Sequence, residues 1–385
     1  MAPTQDKKSW KEINKTHKEQ RKKWKEENLV KKLKKKEQKE QAATDFTKQQ
    51  EQDNISYLKN LSTVSIAVPG SILENAQSEE LLTYLAGQIA RAACIFQVDE
   101  IVVFDDYADA ANAKKSTIED ISGLKSVRHS CVQLGRILQY LECPQYLRKH
   151  FFPIHKDLHY AGILNPLDAP HHLRQNDNFI FREGVVTNKP VKPGRGSLVN
   201  VGLLQDVGVD KLLTPGIRCT VKLLPQAENS KKIKGLIVGP NLPRQETGVY
   251  WGYTVRLANS LSQVFSQCPY KKGYDVTIGT SDKGSSVDEF ECPSYRHLLI
   301  VFGGLQGLEV ALENDEVLNV DDPKLLFDYY LNTLPDQGSR TIRTEEAILV
   351  TMSALRPRFS PKYSPTPFVK EQHCLNLNKG EETSQ

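Results

Sequence analysis

The stretch HLLIVFGGLQGLE, residues 297–309, joins a short apolar run to a loop that contains three glycines. Glycines allow the backbone to approach a ligand closely and to take positive φ values. A tight structural turn explains the same glycines equally well, and their spacing differs from the dinucleotide-binding fingerprint. This stretch therefore indicates a buried strand followed by a candidate binding loop, and by itself it is a weak signal.

Two further segments have the same form. The apolar run Tyr274–Ile278 leads into GTSDKG, residues 279–284, and a polar loop spans Asn332–Arg343. That loop is entered from a helix-like segment, Pro323–Tyr330, and leads into a helix that Thr344 can cap. Ligands of parallel α/β sheets lie beyond the carboxyl ends of the strands, so the three loops are predicted to converge on one pocket.

The start of the folded body predicts a parallel sheet. Alternating apolar residues over Val64–Val68 indicate a strand, and Ser78 is a good N-cap for the helix that follows. The apolar run Ile101–Phe104 then completes a strand, helix, strand unit, which favours an α/β fold. Further helices are predicted over Val132–Leu141 and Tyr146–Phe152.

Between Asn165 and Arg256 the composition changes to proline, glycine and short β-like runs. The candidate strands are Gly184–Thr187, Leu198–Val201, Ile217–Leu223, Lys234–Val238 and Tyr250–Leu257. Such a series predicts a small β-barrel or sandwich inserted in the α/β domain. Its scattered basic residues fit a nucleic-acid surface or a solvated exterior equally well; they are Lys192, Arg195, Lys222, Lys231, Lys232, Lys234 and Arg244.

Aromatic residues and histidines in this segment allow two interpretations. Tyr250, Trp251 and Tyr253 suggest base stacking, but one side of such a strand normally faces the core. His171 and His172 have no partner at metal-ligand spacing, which favours a structural or RNA-contacting loop and predicts no metal. The seven cysteines are scattered without a CxxC pair, so reduced thiols are expected and a zinc ribbon is excluded.

Charge is unevenly distributed along the chain. Residues 1–40 contain 15 basic and 7 acidic side chains, whereas the remaining 345 residues contain 36 and 40. The lysine-rich tail is therefore predicted to be either a solvated, partly helical arm or an arm that contacts RNA or directs nuclear import. No apolar run approaches the roughly 18 residues of a membrane span, and the amino terminus does not resemble a signal peptide.

Ordered motifs over the whole body resemble one family. They are TIGTSDKG (277–284), IVFGGLQGLE (300–309), NTLPDQGSRTIRTEEAI (332–348), VPGSILENAQSEELLTYLAGQIARAA (68–93) and LQYLECPQYLRKHFFP (138–153). Together they resemble the SPOUT class of RNA methyltransferases, and within it the group with an OB-like barrel inserted in the catalytic domain. The resemblance implies a trefoil-knotted parallel sheet, S-adenosylmethionine as cofactor, a homodimer, and N3 of a uridine in large-subunit (28S) rRNA as the methyl acceptor.

The same resemblance assigns site residues. Cofactor contacts are expected at Thr280, Lys283, Gly303, Gly304, Gly307, Asn332, Thr333, Gly338, Ser339 and Ile342. Lys283 departs from the family pattern, in which an arginine is expected, and it keeps the charge but loses the planar fork.

The proposed reaction needs a way to handle the proton on uridine N3. A base must remove that proton, or a cation must stabilise the uridine anion. Arg340 and Arg343 are candidate catalytic cations, and the alternative for both is pairing with Glu345 or Glu346. Glu345 is a poor candidate for the base because the first turn of a helix stabilises the charged carboxylate. The Watson–Crick edge is accessible only in an unpaired or flipped base.

Five regions are predicted. They are a basic tail (1–58), the first part of the methyltransferase domain (59–164), an inserted barrel (165–256), the knotted part (257–360) and a flexible carboxyl-terminal tail (361–385). Such an enzyme is expected in the nucleus and nucleolus. The competing hypothesis is a non-catalytic RNA-binding scaffold in ribosome biogenesis or at the mitotic spindle, centrosome or kinetochore. A nucleotide-dependent oxidoreductase is excluded for want of a phosphate-binding fingerprint.

Overall fold

The computed structural model describes residues 62–107, 128–191, 195–225 and 232–359. The tail predictions for residues 1–58 and 361–385 lie outside these ranges. The strands of the described ranges are β1 (Thr63–Pro69), β2 (Glu100–Phe104), β3 (Phe181–Val186), β4 (Leu198–Asn200), β5 (Val207–Gly208), β6 (Arg218–Leu223), β7 (Gly235–Val238), β8 (Thr254–Ala258), β9 (Val276–Ser286), β10 (His297–Val301) and β11 (Tyr329–Asn332). The α-helices there are α1 (Glu79–Ile95), α2 (His129–Glu142), α3 (Gln145–Phe151), α4 (Leu242–Thr247), α5 (Leu261–Ser266), α6 (Glu309–Glu313) and α7 (Thr344–Leu355).

A six-stranded parallel sheet forms the centre of the molecule, in the order β11-β9-β10-β1-β2-β8. The central strands β1 and β10 are buried along all but their first residue because helices cover both faces of the parallel sheet. Ile66 packs in the core under α1, α2 and α7, whereas its neighbour Ala67 packs in the core under α5 and α6. This alternation follows the two-residue period of a strand and confirms the predicted α/β class.

The amino-terminal strand, helix, strand unit has the predicted form. Ser78 precedes α1, and its hydroxyl accepts a hydrogen bond from the Leu81 N–H at 3.3 Å. Glu79 and Glu80 lie in the first turn, where their negative charges interact favourably with the helix dipole. α2 and α3 likewise occupy the predicted helical stretches, with Pro144 between them.

The segment between α3 and β8 contains a separate antiparallel sheet, ordered β5-β4-β3-β6-β7. The sheet curls so that its two edges meet. The Gly208 N–H donates to the Ile233 carbonyl at 3.1 Å, and Gly208 forms an isolated β-bridge with Lys234. Valines from several strands fill its interior, including Val199, Val207 and Val221. The insertion predicted between Asn165 and Arg256 is thus a curled antiparallel sheet with its own core.

Two predicted elements differ from the structure. The candidate strand Tyr250–Leu257 was expected in the inserted sheet, but only its second half forms a strand. That strand, β8, pairs in parallel with β2 at the edge of the central sheet. Pro323–Tyr330 was expected to be helix-like, but Pro323–Leu325 forms one 3₁₀ turn and Tyr329 begins β11. Both segments contain short apolar runs, whose local periodicity does not decide their structure. Pairing with strands distant in the chain decides whether and where each one forms a strand.

A buried polar cluster, here called the junction cluster, joins the inserted sheet to the end of α2. It consists of Glu142, His171, Glu183, Arg218 and Trp251. The Arg218 guanidinium donates to both oxygens of Glu142, at 2.6 and 2.9 Å, and to Glu183 at 2.9 Å. The remaining Glu183 oxygen accepts from Trp251 Nε1 at 2.8 Å and from Thr220 at 2.7 Å. Every carboxylate oxygen of the cluster therefore has a partner.

The electrostatics of the junction cluster favour the charged carboxylate. Burial opposes ionisation of Glu142, but hydrogen bonds from His171 and Arg218 outweigh it and lower the pKa to about 2. A bidentate arginine pair of this kind fixes geometry as well as charge. The cluster holds the inserted sheet in a defined position against the central domain.

Candidate functional site

The carboxyl ends of β9, β10 and β11 lie side by side, and the loops that follow them meet at one edge of the sheet. The first of these loops is an excursion within β9. Gly279 pairs with Tyr330 and Ser285 pairs with Leu331, so residues 280–284 leave the ladder between them. The Thr280 hydroxyl donates to the Val301 carbonyl at 3.0 Å, which ties this loop to β10.

The second loop, here called the glycine loop, spans residues 303–308 between β10 and α6. Gly307 has φ of 81°, a conformation that favours glycine, and a Cβ on Gly303 would lie 2.8 Å from the Gly307 carbonyl carbon. The loop folds back on itself through a hydrogen bond from the Gly307 N–H to the Gly304 carbonyl at 3.1 Å. Two of its glycines are thus required by the chain's own packing.

The other two loops contact the glycine loop and each other. Lys283 Nζ lies 2.8 Å from Glu309 Oε1, at the start of α6. The Asn332 side-chain amide donates to the Asp282 carbonyl at 3.0 Å, and the Thr344 hydroxyl donates to the Gly303 carbonyl at 3.0 Å. Thr344 is therefore the first residue of α7 rather than its cap; Arg343 occupies the cap position, and its N–H donates to Glu346 at 3.1 Å.

The remaining residues named from the sequence lie along the third loop, residues 333–343. Thr333 shares a hydrogen bond with Thr351 at 2.7 Å, and the Ser339 hydroxyl donates to the Thr341 carbonyl at 2.7 Å. Gly338 and Ile342 are exposed, and a Cβ on Gly338 would meet open space. The chain's own packing thus leaves Gly338 free, and only a bound molecule or a partner chain would require a glycine there.

Arg340 and Arg343 are both exposed on this third loop. Within the described ranges neither guanidinium forms an ion pair, so the alternative in which they pair with Glu345 or Glu346 is not realised there. Both side chains are free to contact an anionic ligand.

Asp106 is the residue of this edge that the sequence analysis passed over. It follows β2, it is 4% exposed, and it accepts a hydrogen bond from the Ser71 hydroxyl on Oδ2 at 2.5 Å. Its other oxygen, Oδ1, is buried and has no hydrogen-bond partner within the described residues. Burial raises its pKa to about 6 although Ser71 donates to it. The available signal was an acidic pair directly after a buried central strand.

Gly304 connects Asp106 to the glycine loop. A Cβ on Gly304 would lie 3.2 Å from both Asp106 Oδ2 and Ser71 Oγ, so no side chain separates the carboxylate from the loop backbone. We call Ser71, Asp106 and Gly304 the Asp106 pocket. A perturbed buried acid beside glycine-rich loops is typical of functional sites.

The aromatic and histidine candidates of the middle segment are structural. Tyr250 and Tyr253 are buried and donate to the Val98 and Leu138 carbonyls at 2.7 and 3.0 Å, while Trp251 belongs to the junction cluster. The suggested base stacking on these rings is therefore wrong. His171 and His172 both contact the Glu142 carbonyl oxygen, at 2.9 and 2.7 Å.

The described ranges contain neither a candidate metal site nor a candidate membrane-spanning helix. Across the described ranges, no three histidine, cysteine or carboxylate side chains come together in a way that could hold a metal ion. No helix in those ranges is long and apolar enough to cross a bilayer.

The fold and this edge define an α/β protein with three loops converging beyond the carboxyl ends of parallel strands, the usual position of a ligand site. Residues 63–355 match the model of the family described as "Putative RNA methyltransferase", and the chain belongs to that family.

Relatives with a more specific name are similar over most of the chain. A Drosophila melanogaster protein named 28S rRNA (uridine-N(3))-methyltransferase is 62% identical over 309 residues, which are 79% of this chain and 64% of that protein. Proteins of the same name from Mus musculus and Homo sapiens are 59% and 57% identical, each over 77% of this chain and over 76% and 78% of their own lengths.

Proposed function

We propose that this chain methylates N3 of a uridine in 28S rRNA, with S-adenosylmethionine as the methyl donor. The observation that carries the proposal is the identity of 57–62% to three proteins of that name. The family match, which spans residues 63–355, includes the three loops of the candidate site. The chain is an enzyme in this proposal, and RNA is its substrate.

The loops have the character of a cofactor cradle. Gly303 packs closely against the Gly307 backbone and Gly304 lies against Ser71 and Asp106, whose Oδ1 is a buried polar atom without a partner in the described residues. In the proposal, Thr280, Lys283, Gly303, Gly304, Gly307, Asn332, Thr333, Gly338, Ser339 and Ile342 hold the cofactor. When bound, the cofactor supplies a methyl group on a positively charged sulfur, which needs alignment more than activation.

The protein's own residues must orient the uridine and balance its charge. Arg340 and Arg343 are exposed on the third loop, whose end at Thr344 contacts the glycine loop, so we propose that they stabilise the uridine anion or clamp a flanking phosphate. The target base must be unpaired or flipped to present N3.

The fold details of the resemblance belong to the same proposal. We infer a trefoil knot in the segment around β9, β10 and β11, supported by the placement of β9 between the other two and by the return of α7 to the glycine loop. The curled antiparallel sheet, with its edges joined at Gly208, is consistent with an OB-like barrel. The barrel and the basic tail would then hold the RNA.

A homodimer is also part of the proposal. Large apolar side chains lie exposed on two neighbouring helices, α1 and α7; they are Leu81, Tyr84, Ile95 and Leu349. An exposed apolar patch of this kind is typical of an interface. Because α7 begins at the third loop, a second copy seated there would place its surface beside Arg340 and Arg343. We expect the protein in the nucleus and nucleolus, where rRNA is assembled.

The test combines binding and transfer. Purified full-length protein should bind S-adenosylmethionine in calorimetry and transfer a labelled methyl group to 28S rRNA. Because a methyl on N3 blocks Watson–Crick pairing, reverse transcription of the product should stop at one uridine. Binding without transfer to any rRNA would contradict the proposal and favour an RNA-binding scaffold.

A further inference from the structure

The Asp106 carboxylate is a buried acid beside the glycine loop that takes no part so far in the proposed chemical step. Of its two oxygens, Oδ2 accepts from Ser71 at 2.5 Å, whereas Oδ1 has no partner in the described part of the chain. A buried carboxylate with a vacant acceptor costs free energy unless something else satisfies it. Such a vacancy calls for an explanation, and a chemical task for the group is one explanation.

Other carboxylates at the same edge already have partners. Asp105 accepts from the Tyr107 N–H at 3.0 Å and faces Arg128 at 3.6 Å. Glu309 pairs with Lys283, and Glu346 accepts from the Arg343 N–H. Each of these carboxylates thus has a backbone N–H or a cationic side chain as its partner. Asp106 differs because its Oδ1 has no partner within the described residues, while its Oδ2 accepts from the neutral Ser71 hydroxyl.

We propose that Asp106 is the base that removes the N3 proton of the target uridine, an inference that rests on the proposed methyltransferase function. The N3–H bond breaks and its proton passes to Asp106 Oδ1. The N3 lone pair forms a bond to the methyl carbon, and the electron pair of the broken carbon–sulfur bond stays on sulfur. The proton on Asp106 leaves to solvent once the product has departed. Ser71 is a positioning residue that holds Oδ2.

The surroundings of Asp106 suit a base working at neutral pH. Burial has the largest influence on the pKa of Asp106; the charge of Asp105 also raises this pKa, and the charge of Arg128 lowers it. Tyr107 and Cys131 lie close by as neutral groups, because burial raises the pKa of each. A pKa of about 6 keeps the group ionised at pH 7 while leaving it basic enough to take up a proton.

Access to Asp106 passes through the glycine loop. Gly304 lies against Oδ2 without a side chain between them, and Oδ1 is buried. In the proposal, a uridine therefore reaches Oδ1 only when the backbone at Gly304 moves aside, which the absence of a side chain there favours. Contacts of a catalytic base commonly tighten only in the complex with substrate.

The test uses full-length Asp106→Asn, which keeps the shape and removes the charge, with Asp105→Asn as the matched control. In single-turnover transfer to rRNA, we expect Asp106→Asn to be at least about 100-fold slower, with the dissociation constant for S-adenosylmethionine within about twofold of wild type. The wild-type rate should rise with pH through an apparent pKa near 6. That limb should vanish in Asp106→Asn and persist in Asp105→Asn.

Ser71→Ala provides an independent readout. Since the Ser71 hydroxyl lowers the pKa of Asp106, its removal should shift the limb to higher pH, which a merely structural role would not do. Full transfer by Asp106→Asn, or an unmoved limb in Ser71→Ala, would overturn the assignment of the base. Failure of the wild-type protein to methylate rRNA uridine would instead overturn the proposed function itself.

Discussion

Two buried carboxylates of this protein have opposite environments. Glu142, in the junction cluster, accepts hydrogen bonds on both oxygens from Arg218, and its pKa is lowered to about 2. Asp106, beside the glycine loop, has one oxygen without a partner in the described residues, and burial raises its pKa to about 6. The first arrangement stabilises the folded protein, whereas the second lowers its free energy of unfolding. The two carboxylates thus distinguish a structural cluster, whose carboxylate oxygens all have partners, from the candidate site, where one carboxylate oxygen has none in the described residues.

The largest expected effect comes from breaking the satisfied region. Arg218→Ala leaves Glu142 and Glu183 buried without their cation, so the free energy of unfolding should fall by about 3 kcal/mol in urea denaturation. This loss lies at the low end of the range of about 3–5 kcal/mol for removing one partner of a buried ion pair, because about a third of the Arg218 side chain reaches solvent. The control is Lys222→Ala on the same strand as Arg218, which removes a pair with Glu246 of α4, a carboxylate that is 37% exposed, and should cost less than about 1 kcal/mol. Equal losses in the two variants would show that the junction cluster has no special weight.

The next effect concerns the third loop, where the chain's own packing leaves a glycine free. Gly338→Val adds a branched side chain in open space, so stability should stay unchanged while S-adenosylmethionine binding weakens at least about 100-fold. Calorimetry measures the binding and thermal denaturation the stability. Wild-type affinity in Gly338→Val would remove the third loop from the cofactor pocket.

A smaller effect is expected from an exposed arginine of the same loop. Arg343→Ala removes a charge without touching the core, so cofactor binding should be retained while methyl transfer falls about tenfold through loss of one charge-assisted contact. A labelled-methyl assay measures the rate. Should the variant retain full transfer, Arg343 would be a surface residue without a part in the reaction.

Sequence reasoning predicted the local features of this fold well. The Ser78 cap, the apolar strands β1, β2 and β10, and the convergence of three loops follow from side-chain spacing and from the rule for parallel sheets. Pro323–Tyr330 was predicted to be helix-like, but Tyr329 and Tyr330 lie in β11, which becomes a strand by pairing with β9. Short apolar runs are ambiguous for this reason.

The two carboxylates show why the rest of the site needed coordinates. In the sequence, Asp106 is an acidic residue that ends a strand, a position normally explained by a turn. Its significance depends on Ser71 and Gly304, which lie on other strands' loops and are brought together by the sheet. The pairing of Glu142 with Arg218 likewise joins the end of helix α2 to strand β6, residues far apart in the chain, and leaves no local pattern.

The most direct test of this contrast compares the isosteric variants Glu142→Gln and Asp106→Asn in urea unfolding at pH 8. Glu142 has a lowered pKa, so its stabilising charge is present above its unfolded pKa of 4.5 and is lost as the pH falls towards 2. Asp106 has a raised pKa, so its contribution is present below 3.8 and is lost as the pH rises through 6. At pH 8 we therefore predict that Glu142→Gln is less stable than wild type by about 2 kcal/mol and that Asp106→Asn is more stable by about 1 kcal/mol. A loss of stability in both variants would contradict the account, because Asp106 would then be one more structural acid.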